Sequence, residues 1–108
     1  MKPETHHPGL SSGRWFTMTL PEQLGNVGSE YERALNWKNK YNPEQSQKAF
    51  DRMLELLDLT LGDSRWKHRL KETARLREEA CRSFGPEPPI PDLRKYFLQF
   101  STLARRNK

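Results

Sequence analysis

Apolar residues recur along this chain at alternating steps of three and four positions, which is the period of an α-helix. The period runs through three consecutive helices between Thr19 and Phe84 and through a fourth, shorter one between Asp92 and Arg106. No segment shows the alternation of apolar and polar residues that a half-buried strand requires. The pattern therefore predicts an all-α fold, an up-and-down bundle of three long helices plus a shorter C-terminal helix.

Capping residues indicate where these helices begin. Thr19 and Glu22 have the spacing of a capping box. Asn42 stands directly before a proline at the first position of the second helix, a common start signal. Asp63 or Ser64 is placed to begin the third helix. The second helix has the widest apolar face, so we expect it to be the central and most buried one.

The first helix contains two glycines, Gly25 and Gly28, in its early turns. Each weakens a helix by about 1 kcal/mol relative to alanine. A neighbouring helix that approaches closely would explain why side chains are absent at these two positions. We therefore expect a tight helix–helix contact on this part of the first helix.

The helical period does not extend into the N-terminal residues. Residues 1–18 are rich in proline, glycine, serine and histidine, which predicts a flexible leader in front of a single domain at residues 19–108. Trp15 and Phe16 are the exception, because two aromatic residues before a helix either dock on the core or stay exposed. The sequence favours neither alternative.

Composition limits the chain to one small domain. It has 108 residues, of which 33% are apolar, enough for one thin core, so association into a homo-oligomer stays open. The lone cysteine, Cys81, cannot form an internal disulfide, and its position on the apolar stripe predicts a buried, unreactive thiol. No apolar run approaches the roughly 20 residues that cross a bilayer. We expect a cytoplasmic protein that does not enter the membrane.

The positive charge is unevenly distributed. The net charge is +5, and residues 93–108 contain no acidic residue. Cations on the third and fourth helices define a candidate surface for nucleic acid or a protein partner: Lys67, Lys71, Arg75, Arg82, Arg94, Lys95, Arg105 and Arg106. Three glutamates interrupt the series, and the other interpretation is an ordinary solvated surface of mixed charge.

The residues that usually carry chemistry do not form a recognisable set. His6 and His7 lack a third ligand, so we predict no metal site and no cofactor. HEPN-type ribonucleases place a histidine four to six residues after an arginine, but Arg65 precedes His68 by only three. Adjacent glutamates do not share a helical face and cannot act as an acid–base pair. We predict no catalytic residues.

Two resemblances bear on function. Residues 46–56 resemble the second helix of a tetratricopeptide repeat, but the pattern occurs only once. Residues 15–106 resemble a family of short, uncharacterised bacterial proteins through Leu20-Pro21-Glu22-Gln23-Leu24, Gly25-Asn26-Val27-Gly28-Ser29-Glu30, Trp37-Lys38-Asn39-Lys40, Leu54-Glu55-Leu56-Leu57-Asp58-Leu59-Thr60 and Lys95-Tyr96-Phe97-Leu98-Gln99-Phe100. This resemblance implies a bacterial cytoplasmic origin and a shared fold, and it implies no activity.

These observations favour a non-catalytic bacterial accessory protein that acts through protein–protein interaction. The alternative is a nucleic-acid-binding protein that uses the basic face of the third and fourth helices. A small ribonuclease with His68 as its base ranks third. A helix-turn-helix DNA reader is disfavoured, because the helices are too long for that module.

Overall fold

The computed structural model of the chain describes residues 13–84 and 93–106, apart from the side chains of Ser101 and Arg106. The described part contains four α-helices, α1 (Leu20–Asn39), α2 (Pro43–Leu61), α3 (Leu70–Arg82) and α4 (Arg94–Arg106), and two 3-10 helices, Arg14–Thr17 and Ser64–Arg69. No strand occurs in these two ranges. The predicted all-α bundle is confirmed. None of the helices described has the length and apolar character needed to cross a bilayer.

The first two helices begin where the sequence predicts. The Thr19 hydroxyl accepts a hydrogen bond from the backbone N–H of Glu22 at 3.2 Å, and the Glu22 carboxylate accepts one from the Thr19 N–H at 3.0 Å. This pair is a complete capping box. The Asn42 side chain accepts from the N–H of Gln45 at 3.1 Å and so caps α2.

The third helix begins later than expected. Asp63, rather than Ser64, provides the cap, because its carboxylate accepts the backbone N–H of Arg65 at 3.1 Å. The chain that follows is a 3-10 helix with non-helical angles at Trp66, and the α-helix starts only at Leu70. The Trp66 indole N–H donates to Gln23 on α1 at 3.0 Å, a tertiary contact that accompanies the break. Helix α3 therefore has 13 residues, the same length as α4.

The central helix is α1, so the expectation that the second helix is central is wrong. Helix α1 packs against α2 on one side and α4 on another. Its buried positions outnumber those of α2 and are Leu20, Gln23, Leu24, Gly25, Val27, Gly28, Glu30, Tyr31 and Ala34. A wide apolar face did not make α2 central, because burial depends on how many neighbours a helix has.

Gly28 explains how α4 comes so close to α1. A Cβ atom at Gly28 would overlap the Cβ of Phe97 and would lie 2.9 Å from its Cγ. Real Cβ atoms do not approach other heavy atoms this closely. Gly25 is also buried and borders a cleft with Ala104 of α4. The predicted close helix approach is confirmed at Gly28.

Residues just before α1 also pack on the bundle. Trp15 is fully buried, and its indole N–H donates to the Thr60 hydroxyl on α2 at 3.2 Å. Phe16, its neighbour, is 37% exposed. Of the two alternatives, Trp15 therefore docks on the core. Residues 1–12, which include both N-terminal histidines, lie outside the described residues.

Tyr31 connects the remaining elements at the centre of the core. Its ring lies 5.3 Å from that of Phe97 on α4 and 5.6 Å from that of Phe84 after α3. Its hydroxyl accepts a hydrogen bond from the backbone N–H of Leu93 at 3.3 Å. This contact fixes the point where α4 begins. Asp92, where the apolar pattern places the start of the fourth helix, lies outside the described residues.

Candidate partner-binding groove

The predicted basic residues of the third helix are all exposed, but they do not form one line. Lys71, Arg75 and Arg82 lie within about 40° of one another around α3, at 100° per residue. Lys67 precedes α3 and belongs to the 3-10 helix, so it departs from that line. Arg82 lies 3.7 Å from the carboxylate of Glu79. The cationic line therefore consists of three residues, one of which is paired.

Carboxylates lie close to the cationic line of α3. Arg75 borders a cleft of about 280 Å³ between α3 and α4, together with Glu72, Glu79 and Tyr96. The Glu72 carboxylate accepts hydrogen bonds from Arg69 at 2.9 and 3.1 Å, and these bonds lower the pKa of Glu72. A phosphate bound near Arg75 would meet these negative charges.

The basic residues of α4 face elsewhere. Leu93 and Tyr96 border the cleft with α3, whereas Arg94 and Arg105 lie on the opposite side of α4 by helical spacing. Arg105 borders a separate cleft of about 300 Å³ on α1. Lys95 is exposed between these two directions. The side chain of the eighth predicted residue, Arg106, lies outside the described part. The structure thus divides the predicted surface into separate patches.

The acidic residues of the helices form ion pairs. The buried Glu30 carboxylate contacts Arg33 at 2.7 Å and Arg52 of α2 at 3.0 Å. Asp58 of α2 contacts Arg77 of α3 at 3.0 Å. The Glu30–Arg52 and Asp58–Arg77 pairs each connect neighbouring helices. No group of three histidine, cysteine or acidic side chains that could hold a metal occurs in residues 13–84 and 93–106.

A buried polar cluster at the start of α1 was not predicted from the sequence. The fully buried Gln23 amide donates to the Trp15 carbonyl and to the Asp63 carboxylate, both at 3.0 Å, and accepts from Trp66. Arg65 donates to the same carboxylate at 2.7 Å, and its hydrogen bonds hold the pKa of Asp63 at about 2. The buried polar atoms of this cluster form hydrogen bonds with one another. The cluster therefore connects elements of the fold to each other.

A groove lies at the other end of α1. It has a volume of about 540 Å³ and lies between the α1–α2 connection and the end of α3. Phe50 and Phe84 form an aromatic wall, with ring centroids 5.0 Å apart. Cys81 is half-buried in the lining, so the expectation of a buried thiol is wrong. The Lys38 ammonium lies 5.6 Å from the centre of the Phe84 ring.

Tyr41 stands on the rim of this groove in an unusual conformation. Its φ is +57°, and it is the only residue other than glycine with a positive φ in the described ranges. Its N–H donates to the Lys38 carbonyl and the N–H of Asn42 donates to the Trp37 carbonyl, both at 3.0 Å. These two bonds are those of a Schellman motif, in which the position of Tyr41 is usually glycine.

The tyrosine is therefore unfavourable for stability at this position. The left-handed conformation costs a residue with a Cβ about 1–2 kcal/mol. The side chain returns little of this through burial, because Tyr41 is 93% exposed. The sequence contained a signal for the turn, since the α1 pattern ends only a few residues before the Asn42-Pro43 helix start. It contained no signal that the ring stays in solvent.

Comparison with protein-family models, curated proteins and solved structures finds no match to this chain. Evidence about function therefore comes from the surface itself. Among the described clefts, the groove beside Tyr41 is the largest and has the strongest aromatic character.

Proposed function

We propose that this chain is a non-catalytic accessory domain that binds a partner protein through the groove between Tyr41, Phe50 and Phe84. The observation that carries the proposal is the exposed Tyr41 ring, held at a backbone position where glycine would be more stable. A residue that costs stability and buries little of itself is explained if it contacts another molecule. The resemblance to bacterial proteins supports a bacterial, cytoplasmic setting for this role.

The chemistry of the groove suits a protein side chain. Tyrosine is enriched at protein interfaces, because its ring supplies a large contact area for only two rotatable bonds. Phe50 and Phe84 offer a wall against which an aliphatic or aromatic side chain of a partner would lose its water. Such an anchor in a pocket is the usual centre of a binding hot spot.

Affinity capture from the native cell lysate tests this role, with the wild type compared with Tyr41→Ala. Leu98→Ala is the matched control, because Leu98 is a 59% exposed apolar residue on α4, outside the groove lining. We expect a protein that the wild type and Leu98→Ala retain after nuclease treatment and that Tyr41→Ala loses. Retention of the same proteins by Tyr41→Ala would show that the groove is not the binding site.

Nucleic-acid binding is the second candidate, and it rests on the exposed line of Lys71, Arg75 and Arg82 on α3. The charge-reversing variant Lys71→Glu with Arg75→Glu tests it. Salt-sensitive binding of RNA or DNA that is lost in this variant would support phosphate contact by α3. Unchanged affinity would exclude these two cations as phosphate contacts.

A further inference from the structure

The residues that line the groove beside Tyr41 also indicate which kind of partner segment it binds. The inference that follows rests on the proposed function. We propose that the groove binds a short acidic segment of a partner protein, in which an apolar side chain packs on Phe50 and Phe84 and a neighbouring carboxylate pairs with Lys38. Three observations support this proposal: the position of the Lys38 ammonium, the hydrogen bonds of other polar side chains in the lining, and the exposure of the aromatic rings.

The Lys38 ammonium lies at the wall of the groove. It lies over the Phe84 ring at 5.6 Å, a cation–π contact that limits where the flexible side chain goes. No carboxylate of the described residues pairs with it, whereas Lys48 is paired with Glu44 at 3.5 Å. A ligand that packs on Phe84 therefore meets a cation that is still available for a salt bridge.

Three other polar side chains of the lining, those of Asn42, Ser46 and Gln47, already have partners within the domain. The Ser46 hydroxyl donates to the Ala34 carbonyl at 2.9 Å, and the Gln47 amide donates to Asp51 at 2.8 Å. The Asn42 side-chain oxygen caps α2. Lys38 is thus the charged residue of this lining, and no described carboxylate forms an ion pair with it. A carboxylate of a ligand would supply that ion pair.

A single-stranded nucleic acid fits this surface less well. Proteins that bind single strands stack successive bases on several open aromatic faces. Here the Lys40 ammonium lies over the Trp37 ring at 5.3 Å, and Phe50 and Phe84 are each only partly exposed. Tyr41 remains as one open ring. One stacking platform beside a narrow aromatic wall suits an apolar anchor of a peptide better than a run of bases.

Titration of the isotope-labelled full chain with two small probes tests the inference by NMR. Phenylacetate carries an aromatic ring and a carboxylate, and phenylacetamide is its neutral analogue. We expect phenylacetate to shift the backbone amide signals of the groove lining and phenylacetamide to bind the same place about two- to fivefold more weakly, the range of an exposed ion pair. Lys38→Gln should remove this preference, and Lys48→Gln should leave it unchanged.

The outcomes separate the two proposals. Equal binding of both probes to the wild-type groove would overturn the acidic-partner inference and leave the groove as a binding site. Absence of any groove shift with either probe would overturn both. A hexamer of uridine that shifts the groove signals at lower concentration than phenylacetate would identify nucleic acid as the occupant and refute the acidic-protein assignment.

Discussion

Replacement of Tyr41 by glycine should stabilise the protein while it removes the proposed partner contact. Glycine adopts the observed φ of +57° without the penalty of about 1–2 kcal/mol that a Cβ atom brings. Against this, glycine gives the unfolded chain about 0.4–1 kcal/mol of extra conformational freedom. The two ranges leave a net gain in the free energy of unfolding of up to about 1.6 kcal/mol, with a midpoint of about 0.8 kcal/mol.

Tyr41→Ala is the control that separates the ring from the backbone. Alanine removes the ring, which is 93% exposed and contributes little burial, but it keeps the Cβ atom and its strain. We therefore expect Tyr41→Ala to unfold at nearly the wild-type urea concentration. Both variants should lose the partner that Tyr41 contacts.

Urea and thermal unfolding of the three proteins measure the difference. In a domain of this size, 1 kcal/mol shifts the melting temperature by roughly 4–8 °C, so a gain of about 0.8 kcal/mol should make Tyr41→Gly melt about 3–6 °C above Tyr41→Ala. A glycine variant no more stable than the alanine variant would refute the reasoning that the backbone at this position is strained. A large loss of stability in Tyr41→Ala would instead show that the ring packs on the fold.

Three further predictions test the remaining structure. Gly28→Ala should lower the free energy of unfolding by about 1–3 kcal/mol despite the better helix propensity of alanine, and a double-mutant cycle with Phe97→Ala should leave most of that effect, because alanine keeps the Cβ atom that the added methyl group meets. Trp15→Ala should cost about 3–5 kcal/mol, whereas Phe16→Ala should cost less than about 1 kcal/mol; equal costs would contradict the docking of Trp15. The folded pKa of Asp63 is about 2, below its ordinary value of 3.8, so its contribution of about 2 kcal/mol is present above pH 4 and is lost as the pH falls towards 2. Asp63→Asn should remove this part of the acid destabilisation, and parallel pH curves for the two proteins would exclude it.

The sequence predicted the features that depend on neighbouring residues. The Thr19 capping box and the Asn42 cap are local hydrogen bonds, and a short window of sequence contains both partners of each bond. The pattern of apolar residues also predicted the four helices. Gly28 was recognisable because a glycine inside a helix is unfavourable unless something approaches it, and Phe97 is that neighbour.

Features that depend on distant residues were not predictable in the same way. Gln23 is fully buried because Trp15, Asp63 and Trp66 supply its hydrogen-bond partners, and no local pattern brings these residues together. The central position of α1 likewise depends on the neighbours that surround it. The basic residues of α3 and α4 follow regular spacings, but spacing within a helix does not fix which way two helices face each other.

The two ends of α1 differ in how the structure holds them, and this difference bears on function. At its start, Gln23 and Asp63 join three segments through buried hydrogen bonds, so a substitution there disturbs the fold. At its end, about 27 Å away by helix rise, Tyr41 is exposed beside a groove and makes its backbone bonds through atoms that any residue has. Side chains at that end are therefore constrained less by stability. A tyrosine in place of the more stable glycine is then explained if it contacts another molecule, which is the physical basis for our proposal of a partner at this end of the bundle.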